Sequence, residues 1–298
     1  MRAAARPPLA FPLLASLALP ACLLDDADPV APSPPIVTSG TYHHYAQSAW
    51  IVPATTEEAQ RRGFDLDRDG RIDNQAGAVM AALGGIGLDV QGESDRAITD
   101  GELVILHAVR ADALVDDASV AWRVLAGAPS TPPRWDGTDV FQVAGEDGSF
   151  VGVVMGGVAH MDWGVVNLPL PFFPEQAPMV LPLAHARIAA SITADGCEGR
   201  IGGVMLAADI ENTLTRFVRQ AIRHIERNPD HELARIAYDV FDTNDDGTIT
   251  VAEMAGSPIA DTLFRPDLDL DGDGRDDGLS FGLGFTCEAA SFTASGEL

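Results

Sequence analysis

Between Leu103 and Met205 the chain is written as eight short stretches rich in Val, Ile and Leu, separated by Gly, Pro and Asp. Apolar residues at alternate positions give a strand one face to bury, and a long series of such strands excludes a helical bundle. The stretches are Leu103 to Val109, Ala121 to Leu125, Val140 to Val143, Phe150 to Val158, Trp163 to Leu168, Val180 to Leu183, Ala186 to Thr193 and Arg200 to Met205. Asp195-Gly196 is a hairpin signal before the last of them. The pattern predicts a β-sandwich or jelly-roll-like pair of layers. Ahead of it, Tyr42 to Val52 reads as a strand, Thr55 to Arg62 as a helix opened by Thr55 and Glu58, and Asn74 to Leu83 as an Ala-rich helix.

A helical block then interrupts the strands. Ile210, Leu214, Phe217, Val218, Ala221, Ile222 and Ile225 share one helical face, Arg216, Arg219, Arg223 and Glu226 the other, and Asn228-Pro229 stops the helix. Leu233, Ile236, Ala237, Val240 and Phe241 make a second apolar face. Gly256, Ser257 and Pro258 break a short helix and start another with Ser257 as its cap.

Inside that block, Asp242 to Glu253 reads Asp-Thr-Asn-Asp-Asp-Gly-Thr-Ile-Thr-Val-Ala-Glu, with an oxygen-bearing group wherever an EF-hand loop needs one. Asp242, Asn244 and Asp246 supply side-chain oxygens at the first, third and fifth positions, and Gly247 permits the sharp turn. Thr248 offers its carbonyl, Thr250 acts through a water, and Glu253 gives the bidentate carboxylate. Ile249 tucks the loop onto a core. The expected ion is Ca2+.

Two further stretches repeat part of the pattern and repeat each other. Asp65, Asp67, Asp69 and Asp73 align with Asp269, Asp271, Asp273 and Asp277 in the shared form D-L-D-x-D-G-R-x-D. Four carboxylates around a Gly turn can wrap one hard cation. Ala76 and Ser280 stand where the bidentate ligand of a full loop would be, so either weaker binding or a carboxylate supplied from elsewhere in the fold is expected at both sites.

The chain carries 44 acidic residues against 19 basic ones, a net charge of −25. Fourteen of the acids crowd into these three segments or, in the case of Asp267, just ahead of the last, where they repel one another unless a cation lies among them. Phosphate backbones are repelled too, which argues against nucleic acid as a partner. All the basic residues are Arg, as expected from genomic base-composition bias.

Arg2 and Arg6 precede an apolar run from Leu9 to Leu19, the size of a signal-peptide core and too short for a permanent membrane span. Leu19-Pro20-Ala21-Cys22 resembles a lipobox, in which Cys22 is lipidated and becomes the first mature residue. Residues 1–21 are thus expected to be removed, with 22–40 as a Pro-rich tether from membrane lipid to fold. Cys197 and Cys287 are natural disulfide partners in an oxidising compartment. The expected order is a β-rich domain with an N-terminal calcium loop over 41–207, a helical EF-hand insertion over 208–263, and a third calcium loop over 264–298. Within this last part, Leu279 to Phe292 returns as a C-terminal strand to the sheet.

This order resembles a family of uncharacterised bacterial EF-hand domain-containing lipoproteins. The resemblance rests on Cys22, Gly63-Phe64-Asp65-Leu66-Asp67 running into Asp73-Asn74-Gln75, Ile192 to Gly196, Phe241 to Glu253, and Leu270 to Gly274 running into Leu279 to Gly282. It implies secretion and calcium binding, and no activity.

Catalytic motifs are weak. His231-Glu232-Leu233-Ala234-Arg235 begins like a zinc-protease helix, but Arg235 cannot serve as the second ligand. His107, His160, His185 and Asp162 fall on or beside strands. The expectation is an exported protein of the cell envelope, anchored at the outer membrane by lipid, non-catalytic, with structural calcium and a polysaccharide or envelope protein as its ligand. One alternative is a calcium-dependent carbohydrate-binding module or adhesin using Trp122, Trp135 and Trp163. Another is a β-sandwich hydrolase built on His160 and Asp162.

Overall fold

The computed structural model describes residues 40–84, 87–174 and 176–294, apart from the side chains of Trp163, Glu232 and Ala294. The expected signal segment, Cys22 and the expected tether up to residue 39 lie outside the described residues. The elements in chain order are β1 (Thr41–Ile51), α1 (Thr56–Arg62), α2 (Gln75–Gly84), α3 (Val90–Thr99), β2 (Ile105–Ala111), β3 (Asp117–Gly127), β4 (Val140–Met155), β5 (Val158–Leu170), β6 (Met179–Ile192), β7 (Gly196–Leu206), α4 (Ala207–Arg227), α5 (Glu232–Phe241), α6 (Val251–Ala255), α7 (Pro258–Leu263), β8 (Gly278–Ala289) and β9 (Ser291–Ala294).

Each strand from β1 to β8 pairs antiparallel with its neighbour in sequence, and β8 closes the circle by pairing with β1. The expected two-layer sandwich is corrected to one closed eight-stranded barrel. Alternating residues give every strand an inner face whether the sheet curls on itself or packs on a second one, so the pattern alone could not separate the two. Closure leaves no edge within the ring. Two pairs of expected strands also fall on single long ones: Val140 to Val143 and Phe150 to Met155 lie in β4, with Val158 opening β5 instead, and Val180 to Leu183 and Ala186 to Ile192 lie in β6. Both absorb register shifts in their ladders, and His185 adopts φ 47° at the irregularity in β6.

β2 is buried on both faces, which explains its nearly unbroken apolar sequence. Ile105 and Val109 join the main core, whereas Leu106 and Ala108 form a smaller cluster with Phe141 and Val143. β9 extends the sheet by pairing parallel with the start of β4. In β8, Leu279, Phe281, Leu283 and Phe285 enter the main core. On its other side, Gly282 lets α1 and Asn74 approach; a Cβ there would lie 2.5 Å from the Arg62 carbonyl oxygen. Buried Asn74 uses that approach to donate to Ala59 O at 2.8 Å and Gly282 O at 2.9 Å, while its own oxygen caps α2 through Gly77 N.

α3 had no counterpart in the sequence reading, because its apolar content is low. Asp89 caps it, and Arg96 pairs with the nearly buried Glu93 at 2.7 Å. No helix among the described residues is long and apolar enough to cross a membrane.

Cys197 and Cys287 face each other in register on β7 and β8, with Cα atoms 5.0 Å apart, and form a disulfide. The bridge spans 90 residues of sequence, from the start of β7 through the helical block to β8. Restricting so long a loop in the unfolded chain stabilises by roughly 4–5 kcal/mol in the chain-entropy model. Replacing both cysteines with serine is expected to cost about 2–5 kcal/mol in a urea titration; a loss below about 0.5 kcal/mol would show that the bridge adds nothing.

Candidate metal centre

Three acidic loops share one backbone design. They lie between α1 and α2, between α5 and α6, and between α7 and β8. In each, the carboxylate at the first position accepts from the glycine five residues on: Asp65 from Gly70 at 3.2 Å, Asp242 from Gly247 at 2.8 Å, Asp269 from Gly274 at 2.8 Å. Asp67, Asn244 and Asp271 each accept the backbone N–H two residues later, as do Asp69, Asp246 and Asp273. Such side-chain turns tighten the chain around the carboxylates. The same two positions in every loop then take positive φ: Arg68 and Gly70, Asp245 and Gly247, Gly272 and Gly274.

The loops differ at the ninth position. Asp73 and Asp277 each reach back to the second residue, accepting from Leu66 N and Leu270 N at 2.7 Å. Thr250 instead caps α6 in a reciprocal box with Glu253, whose carboxylate accepts from Thr250 N at 2.9 Å and its hydroxyl at 2.7 Å. These bonds, with one from Thr243, hold Glu253 below the usual glutamate range.

Among the described residues, two carboxylate trios have ligand oxygens within 4.8 Å of one another: Asp65, Asp67 and Asp73, and Asp269, Asp271 and Asp273. Asp69 and Asp277 stand beside these groups, held by their own backbone bonds. Asp242, Asp246 and Glu253 do not gather into such a trio, and Thr248 lies one residue from the turn at Gly247. Inside the first group, Asp65 Oδ1 is buried and accepts no hydrogen bond. A buried carboxylate oxygen left without a donor is costly, and a hard cation would satisfy it. Asp73 is pushed up to about 6, first by burial and then by the charges of Asp67, Asp267 and Asp69, against the opposing Leu66 N–H.

Asp267 counts among the clustered acids of the sequence but not among its expected ligands, because it precedes the repeated motif. It too is raised, chiefly by burial. Its carboxylate accepts from Ser280 N at 2.7 Å and Ser280 Oγ at 2.6 Å, and Ser280 Oγ accepts from Gln75 N at 2.7 Å. That relay ties the start of α2 to the start of β8, so the first and third loops are held side by side. Phe64, Leu66 and Leu268 pack with Val204 in a small core beneath them. Arg187 adds a link to the barrel wall, donating to Asp65 O at 2.6 Å and pairing with Asp162 at 3.3 Å.

The remaining candidates are placed elsewhere. His107 is fully buried, accepts from Trp122 Nε1 at 3.0 Å through Nδ1, and therefore donates from Nε2 to Gln47 Oε1 at 3.2 Å. Burial lowers it to about 3. Trp122 is fully buried and cannot face a sugar, and Trp135 is partly buried against the Phe141 cluster. The Trp163 side chain lies outside the described residues. Asp162 is engaged by Arg187, and His160 is exposed on β5.

Two outcomes follow from this geometry. Ser280→Ala keeps the backbone N–H bond to Asp267 but takes the hydroxyl partner from Asp267 Oδ2 and from Gln75 N, at an expected cost of about 1–3 kcal/mol by chemical denaturation; an unchanged midpoint would contradict the relay. Because His107 titrates lower in the fold than in the unfolded chain, its contribution is complete above about pH 6.5 and is lost as pH falls toward 3. Unfolding measured across that window should fall by up to about 1.4 kcal/mol per pH unit more steeply in the wild type than in His107→Gln. Parallel curves for the two proteins would refute the assignment. A comparison of the chain with protein-family models, characterised proteins and solved structures found no match, so its metal chemistry is argued from these residues alone.

Proposed function

We propose that this is an exported calcium-binding barrel, anchored by lipid at Cys22, in which bound ions lock the fold and the role is binding without catalysis. The observation that carries the reading is the buried, donor-less Asp65 Oδ1 among the converging carboxylates of the first loop. All-oxygen donor sets suit a hard cation that accepts about six to eight ligands, which favours calcium over zinc or copper. Asp65, Asp67, Asp69 and Asp73 would hold one ion, and Asp269, Asp271, Asp273 and Asp277 another. Asp267, whose charge reaches Asp73, supports the expectation of a carboxylate from outside the motif.

The second loop, with α5 entering and α6 leaving, is read as an EF-hand in which Asp242, Asn244, Asp246, Thr248, Thr250 and Glu253 surround the ion. α6 is only five residues long. This favours a structural ion over a sensor that swings a long helix. The Cys197–Cys287 bridge agrees with an oxidising compartment outside the cytoplasm.

A ligand that binds only the folded state stabilises by mass action, about 2.7 kcal/mol at a hundredfold excess over its Kd. Equilibrium dialysis of the mature protein against millimolar calcium is expected to load one ion per loop. Excess EDTA should lower the Tm, and Asp65→Asn or Asp269→Asn should each remove one ion. Glu253→Gln should remove part of the EDTA-sensitive stability. Protein that retains no calcium after dialysis, with a melt indifferent to EDTA, would end this reading.

A further inference from the structure

The helical block frames an apolar cavity of about 120 Å³, partly open to solvent, between α4, α5, α6, α7 and the side chains of Leu83 and Leu88. Every side chain lining it is apolar, including Phe173, Val218, Ala237 and Met254. Val240 and Ile259, two of the exposed large apolar residues of the protein, stand on its lining and mark its approach from solvent. A smaller space of about 50 Å³ adjoins it, sharing Phe217 and Phe264 as a wall. The one polar side chain there is Thr213, whose buried hydroxyl has no hydrogen-bond partner.

A space of this size lined by carbon offers water no hydrogen bonds, so water entering it is readily displaced, and its walls forfeit the dispersion contacts that an apolar occupant restores. Cavities of about 150 Å³ with such linings take benzene-sized molecules. The geometry points to a binding site for an uncharged apolar group of that size, either a free small molecule or the end of an acyl chain. Charge is excluded because nothing in the lining could pair with it. The site does not depend on the cation reading, although α5 and α6 contribute both to its walls and to the second acidic loop.

The test uses the folded, full-length mature protein with methyl-labelled Met, Leu, Ile and Val, titrated with benzene and followed by NMR. Saturable shifts are expected at Met254, Val218 and Leu214, with none from benzoate. Ala237→Phe should fill the space and abolish the shifts; if that variant fails to fold, Ala221→Leu serves the same end. Dihexanoyl phosphatidylcholine below its micellar concentration separates the sources: movement of the same methyls assigns acyl chains, and silence beside a positive benzene titration assigns free small molecules. Absence of saturable benzene shifts in the wild type, shifts confined to other methyls, equal shifts with benzoate, or shifts that persist in a folded, cavity-filled variant would each overturn the site.

Discussion

Backbone pairing of β8 with both β7 and β1 is the constraint on which the molecule rests. β7 ends at Leu206 and β8 begins at Gly278, so the chain must complete the whole helical block before the barrel can close. Loop-closure entropy opposes so long an excursion, and non-local ladders form only after it is met. Several local devices favour the closed arrangement: the disulfide in register between β7 and β8, the close approach at Gly282, and the Ser280 relay to α2. All act on β8, the strand whose placement is least favoured by chain connectivity.

Electrostatics runs the other way. The protein holds two groups of converging carboxylates against the same strand, and it fixes them there with backbone N–H donors and a shared apolar floor of Phe64, Leu66 and Leu268. Donors from the loop backbone lower the cost of assembling these charges without cancelling it: burial first, and neighbouring carboxylates after it, still raise Asp73 and Asp267. The acidic loops adjoin the closing strand, so whatever neutralises them also bears on barrel closure.

Much of this was legible in the residues. The acidic loops are local: their turns are set by Asp and Gly at fixed offsets, and positive φ recurs at the positions the motif requires. Helix starts were equally local, as with Thr55 and Ser257. What the sequence concealed depends on distant partners. Closure joins Trp50 to Phe285 and Ala46 to Glu288, residues more than two hundred positions apart. Long β4 and β6 were divided because Gly145 to Ser149 and Ala184-His185 resemble turns, whereas the ladder simply carries a register shift through them. Asp267 and Ser280 belong to no motif, and their importance arises from where α2 happens to begin against β8.

The bridge between Cys197 and Cys287 makes a covalent ring of the helical block and the second and third acidic loops. A protease that nicked the chain at the Asn228–His231 turn would therefore release nothing. The two fragments would travel as one species until a reductant reached the bridge, so the protein can suffer a cut in this exposed turn and still present an unbroken barrel.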